Sequence, residues 1–180
     1  MLDHDRWQRL LDAVDSRQDY EVATTLLADL DAAQQRELLD HLCSQNRRVG
    51  DDAQRQAFVQ RLLTMHPDVV HAVGVFGETA LHVAAYWRNF GVMRLLVDHG
   101  ADLDRRTPKT WHYNDGRLPK GTSPRSILDD ELADALEHDR VDELRADPNH
   151  DYAEAARLFG LTFEQWVEQR EALRQRTRRS

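Results

Sequence analysis

Nine histidines and a dense set of carboxylates are the side chains of this sequence best able to do chemistry. An imidazole can ligate a metal or carry a proton near neutral pH, and a carboxylate beside it can orient it for either task. The spacing supports neither role. His66 with His71, and His112 with Tyr113, match no ligand or triad interval, and the sequence lacks H-E-x-x-H, a glycine-rich phosphate loop and G-x-S-x-G. The carboxylates are interspersed with arginines along helical stretches, the pattern of a solvated face. Cys43 is the single cysteine, so no disulfide and no thiolate metal cluster can form within one chain, and it is read as a small core hydrophobe. The chain is therefore expected not to be an enzyme, and to need no cofactor or metal.

Composition narrows the class further. The 180 residues are 41% hydrophobic and 31% charged, enough apolar material for one domain-sized core. The formal charge of −8 gives a whole-molecule field that repels nucleic acid and anionic membranes, and favours a partner with a basic patch. No stretch approaches the roughly 20 apolar residues of a bilayer span, and the start, Met1-Leu2-Asp3-His4, lacks the form of a secretory signal. A cytoplasmic location is expected.

The elements are helices in pairs. Trp7, Leu10, Leu11 and Val14 follow the i, i+3, i+4, i+7 interval of a one-faced helix, and Tyr20, Ala23, Leu26, Leu27 and Leu30 repeat it after a break at Asp15-Ser16. A second pair places Leu38, Leu39, Leu42 and Cys43 on one helix and Phe58, Val59, Leu62 and Leu63 on the next, with a polar turn through Asn46 to Asp52 between them. Leu62-Leu63 and Leu95-Leu96 are 33 residues apart, and His66 and His99 keep the same offset behind them. Leu26-Leu27 lies 36 residues before Leu62-Leu63, a looser spacing. A fixed period of this size is the mark of a helical repeat protein.

The segment Gly77-Glu78-Thr79-Ala80-Leu81-His82-Val83-Ala84-Ala85 resembles the ankyrin signature G-x-T-P-L-H-x-A-A, with alanine in place of the proline. Its continuation, Val92 to Asp104, is similar to the V-V-x-L-L-x-x-G-A-D-V-N that closes such a repeat. Residues 74–106 thus read as one complete ankyrin repeat. The resemblance implies an all-α, ankyrin-like solenoid and a protein-binding role. It also implies that Thr79 caps the first helix, that Ala84 and Ala85 let a neighbouring helix approach, that His82 ties adjacent turns together, and that Gly100 ends the second helix in the left-handed conformation. Arg88 stands where the family has glycine, so Asn89 is expected to take the left-handed conformation there instead. Gly121-Thr122-Ser123-Pro124-Arg125-Ser126-Ile127-Leu128 resembles a second, degenerate opening, continued to residue 146 by Leu132, Leu136, Val141 and Leu144. Residues 1–73 share only the helix-pair architecture, as degenerate repeats or as a cap.

Between these repeats, residues 105–120 form an insertion. Asn114-Asp115-Gly116 is a turn signal between short alternating segments, which predicts a β-hairpin finger. It carries Arg105, Arg106, Lys109, Arg117 and Lys120, a cationic patch on an acidic chain. Trp111 and Tyr113 share one strand face and fit the role of interface anchors, with self-packing of the finger as the alternative. Tyr86, Trp87 and Arg88, at the end of the first helix of the repeat, fall where ankyrin proteins vary their contact residues. The candidate partner-binding set is therefore Tyr86, Trp87, Arg88, Lys109, Trp111, Tyr113 and Arg117.

In residues 151–180, Ala155-Ala156-Arg157-Leu158-Phe159-Gly160-Leu161-Thr162 resembles the turn of a DNA-binding helix-turn-helix, and Arg174, Arg176, Arg178 and Arg179 make a basic tail. A DNA-associated regulator is the alternative function. Glu164, Glu168 and Glu171 on the would-be recognition helix oppose it, because phosphates would repel them. Ordinary punctuation accounts for the same residues: Gly160 stops one helix, Thr162 caps the next, and Gln165 completes a capping box. The sequence is thus read as a single domain whose groove and finger hold another protein, as adaptor or as inhibitor of the immunity-protein type.

Overall fold

The computed structural model describes residues 1–15, 19–44, 52–113 and 116–179, so the turn expected at Asn46–Asp52, save Asp52 itself, and the loop tip Asn114-Asp115 lie outside the described residues. The protein is mostly helical. Helices α1 (His4–Asp15) and α2 (Tyr20–Leu26) form the first pair, and α3 (Ala32–Ser44) and α4 (Asp52–Met65) the second. Helices α5 (Ala80–Tyr86) and α6 (Phe90–Asp98) follow, then α7 (Pro124–Glu137) with the short α8 (Val141–Arg145), and finally α9 (Tyr152–Leu158) and α10 (Phe163–Arg179). Strands β1 (Trp111–Tyr113) and β2 (Gly116–Leu118) pair antiparallel between α6 and α7.

Helix ends sit where side chains satisfy orphan amides. Asp19, Ser123 and Asp151 accept the backbone amides of Val22, Ser126 and Glu154 at the starts of α2, α7 and α9. Thr162 and Gln165 form the expected reciprocal box at the start of α10, at 3.2 and 2.9 Å. Gly100, at φ +90°, and Gly160, at φ +72°, take the left-handed conformation just past α6 and α9.

The helices stack in two rows. One runs α3, α5, α7, α10 and the other α2, α4, α6, α9, while α1 covers α2. Helix α5 explains why neighbours are needed on every side: Ala80 through Ala85 are all buried, His82 included. A helix apolar all round must be enclosed, and Ala80, Ala84 and Ala85 let α3 and α7 come close. Leu38, Leu39, Leu42, Cys43, Leu62, Leu63 and Leu96 are fully buried as their periodicity required. Each such leucine contributes about 1.5–3 kcal/mol of transfer free energy. Burial also pushes the Cys43 thiol up to about 12, which leaves it inert.

Polar links repeat along the stack. His66 Nε2 donates to the carbonyl of Leu27 at 2.9 Å, and His99 Nε2 accepts from the Gln60 amide at 3.2 Å, each spanning 39 residues back to the preceding outer element. Glu78 departs from the expectation that the carboxylates lie on exposed faces. It is buried, with Arg36 Nη2 3.6 Å away on α3 and the Phe76 amide donating to it at 3.0 Å. Arg36 Nη2 also donates to the Glu78 carbonyl at 3.2 Å, so one guanidinium pins the turn before α5 to the preceding pair.

Candidate binding surface

The turn that opens α5 is built around His82. Its Nδ1 accepts the Thr79 amide at 3.1 Å, with the Thr79 hydroxyl 2.9 Å from the same nitrogen. That leaves the proton on Nε2, which donates to the carbonyl of Thr122 at 3.3 Å, 40 residues onward at the start of α7. The imidazole therefore ties two successive turns together. Burial holds its pKa down at about 4, so it is neutral at physiological pH. The same carbonyl accepts the Thr107 amide at 2.9 Å, and Thr107 in turn accepts Gly121, which fixes the stem of the insertion.

The insertion is a hairpin in the expected place, with Trp111 opposite Leu118, His112 opposite Arg117 and Tyr113 opposite Gly116. Trp111 is not an exposed anchor: it is 1% exposed, its ring 5.8 Å from Tyr86 and 6.2 Å from His82. Alternation along the strand puts Trp111 and its neighbour His112 on opposite faces, and the larger apolar ring takes the inward one. Trp111 is thus the foot of the finger, and is withdrawn from the contact set. The Tyr113 side chain lies outside the described part.

The outward face lies against the turn before α5. His112 packs its ring 5.9 Å from Phe76, Lys109 Nζ approaches the Val75 carbonyl at 3.4 Å, and Pro108 fills the space beside Gly77, whose φ is +83°. A Cβ on Gly77 would come within 2.3 Å of the Pro108 ring, so the glycine serves both its backbone conformation and this approach. Tyr86 and Trp87 are half-buried beside the hairpin, their rings 5.6 Å apart.

At the α5–α6 turn, Arg88 itself takes the left-handed conformation, φ +56°, and Asn89 does not. Asn89, at φ −82°, caps α6 by accepting the Val92 amide at 3.4 Å. A non-glycine residue is strained at positive φ, and here its side chain is engaged. Arg88 Nε donates to Glu131 on α7 at 2.5 Å, and the Tyr152 hydroxyl on α9 donates to the same carboxylate oxygen at 2.9 Å. Arg88, Phe90, Arg94, His150, Tyr152 and Phe163 line a cleft of about 700 Å³ beside the short α8. In it Arg94 pairs with Glu154 at 2.9 Å, and His150 Nδ1 lies 2.8 Å from Asp147.

Residues 76–108 match the family model of the ankyrin repeat. The chain resembles the ankyrin repeat family in this stretch, which spans α5, α6 and the start of the insertion. Searches of the curated proteins and of the solved structures return no match. Ankyrin repeats are in general protein-interaction units and typically non-catalytic. Among the described residues no group of histidine, cysteine and carboxylate side chains has the arrangement to hold a metal, and no helix is long and apolar enough to cross a membrane.

The C-terminal helices face inward. Trp166 is buried against Phe159 and donates to Asp129 on α7 at 2.8 Å, Arg170 lies 3.7 Å from the same Asp129, and Arg174 donates to the Leu136 carbonyl at 2.6 Å. Two of the cations nearest a would-be recognition surface are thereby spent on α7, while Glu164, Glu168 and Glu171 are exposed. Glu131 was not legible as the shared partner of Arg88 and Tyr152, because sequence separations of 43 and 21 residues carry no periodic signal. His112 was missed as a surface residue, because strand alternation separates it from Trp111 without saying which face meets the core.

Proposed function

We propose that this chain is a non-catalytic protein-binding module, a single domain built as an ankyrin-like solenoid that presents its groove and hairpin to another protein. Residues 1–73 contribute degenerate repeats or a cap, 74–106 the ankyrin repeat, 105–120 the finger, 121–146 a degenerate repeat and 151–180 the closing helices. The two-row stacking of helix pairs and the matched histidine links of His66 and His99 support the solenoid. It acts in the cytoplasm, as an adaptor or an inhibitor of the immunity-protein type, by surface complementarity rather than reaction.

The observation that carries the binding role is the hairpin mounted on the ankyrin repeat through a buried Trp111. A loop fixed this way offers a preformed surface, and little ordering entropy opposes binding. The contact residues are Tyr86, Trp87, Arg88, Lys109 and Arg117, with Tyr113 kept from the sequence reading alone. Affinity capture from native cell extract tests this reading. Wild-type protein retains a specific partner, and Trp87→Ala combined with Arg117→Glu loses it with unchanged helical circular dichroism. A partner kept by the double variant moves the site elsewhere.

A further inference from the structure

The insertion reverses the charge of the molecule locally. From Arg105 to Lys120 there are five Lys or Arg, among them both lysines of the chain, and one acid, Asp115, on a protein of net charge −8. All five cations are exposed. Elsewhere among the described residues arginines are regularly paired with a carboxylate within 4 Å, from Arg6 with Asp29 to Arg170 with Asp129. None of the five on the insertion has one among the described residues. Arg106 and Lys109 reach only the backbone carbonyls of Gly121 and Val75, at 3.1 and 3.4 Å. Among the described residues this positive charge has no internal counter-ion.

The solvent face is mixed in chemistry. His112 and Arg117 are cross-strand partners and so project on one side, away from the Trp111–Leu118 pair. Phe76 lies under His112, and Val75, 77% exposed, lies beside Lys109. Val75 and Val73 are among the few large hydrophobics that the described surface exposes. Val75 and Phe76 give this charged face an apolar component for a partner to cover.

We propose that Lys109, His112 and Arg117, with Val75 and Phe76 beside them, form a docking face for an acidic protein segment that also carries an apolar anchor. This rests on the binding reading above and fixes the chemistry of its partner. It also revises the expectation, drawn from net charge alone, of a partner with a basic patch. At physiological ionic strength charges are screened beyond about 8 Å, so a ligand in contact with the hairpin senses its cations more than the distant acids. The acidic remainder of the chain works against a polyanion long enough to overrun the patch, which favours a short acidic segment over nucleic acid.

Selection of short random peptides displayed on phage against the full chain tests the proposal, with Lys109→Glu/Arg117→Glu screened in parallel and both proteins checked by thermal melting. Enriched peptides are expected to be net acidic and to contain a large apolar residue. By fluorescence polarisation their affinity is expected to fall at least about tenfold on the variant and to weaken as salt rises from about 0.15 M to about 1 M. Lys109→Ser/Arg117→Ser, which removes the charges without reversing them, should fall between. Enriched peptides that are neutral or basic, or that bind the variant equally, overturn the acidic-segment proposal while leaving the binding module standing. A DNA or RNA oligonucleotide bound more tightly than the acidic peptides also overturns it. No enrichment on either protein overturns both the docking face and the binding module.

Discussion

Trp111 of the inserted hairpin packs edge-on against Tyr86 of the ankyrin repeat, ring centroids 5.8 Å apart and planes inclined at 66°. Through this contact the insertion becomes part of the folded body, and its opposite face acquires a fixed position beside Val75 and Phe76. A single indole at 1% exposure thus links the core to the surface that carries the proposed function.

Trp111→Ala is therefore expected to behave as a core substitution. Removing a buried tryptophan costs about 3–5 kcal/mol, whereas a surface anchor would cost under about 1. Chemical denaturation followed by circular dichroism reads the difference. A variant as stable as wild type would contradict the buried placement.

His82 gives the protein an acid-sensitive step. Its pKa falls from 6.5 to about 4 on folding because burial disfavours the imidazolium, so the unfolded chain binds the proton more readily than the folded one. The stabilisation from neutral His82 is complete above about pH 6.5, is lost progressively between 6.5 and 4, and changes no further below that. The loss is on the order of 3 kcal/mol. Melting temperature against pH checks it: His82→Gln should be destabilised at neutral pH and should flatten that limb of the profile. An unchanged limb in the variant would assign the acid sensitivity to other groups.

At the α5–α6 turn, left-handed backbone and ion pair make separable contributions. Arg88→Gly removes the Glu131 contact and relieves the positive-φ strain, while Arg88→Ala removes the contact and keeps the strain. The alanine variant is expected to be less stable than the glycine variant by about 1 kcal/mol, a difference of about 2–4 °C in melting temperature. Equal melting temperatures would show that residue 88 is not held left-handed.

Local signals in the chain carried much of this. The apolar intervals of α1 to α4 and the Thr162–Gln165 box were legible because each depends on residues within a turn or two of one another, and the ankyrin repeat matched at 76–108 because its motif residues are contiguous in the chain. The hairpin was legible from its turn residues. Which face of β1 points inward was not, because alternation groups Trp111 apart from His112 without saying which side meets the core. Asn89 seemed the natural left-handed residue on intrinsic preference, but it is needed as the cap of α6, and Arg88 is held by two groups far along the chain. The pairing of Arg36 with buried Glu78 was hidden for the same reason, since no period relates residues 42 apart.

Site-specific photo-crosslinking measures whether the hairpin is the binding face. A photoreactive amino acid replaces Arg117 in one protein and exposed Gln8 on α1 in another, and each is irradiated in native cells. Covalent adducts with one discrete partner from position 117, and none from position 8, are the expected result. Adducts from position 8 alone, or none from either position, would contradict a protein-binding role for the hairpin.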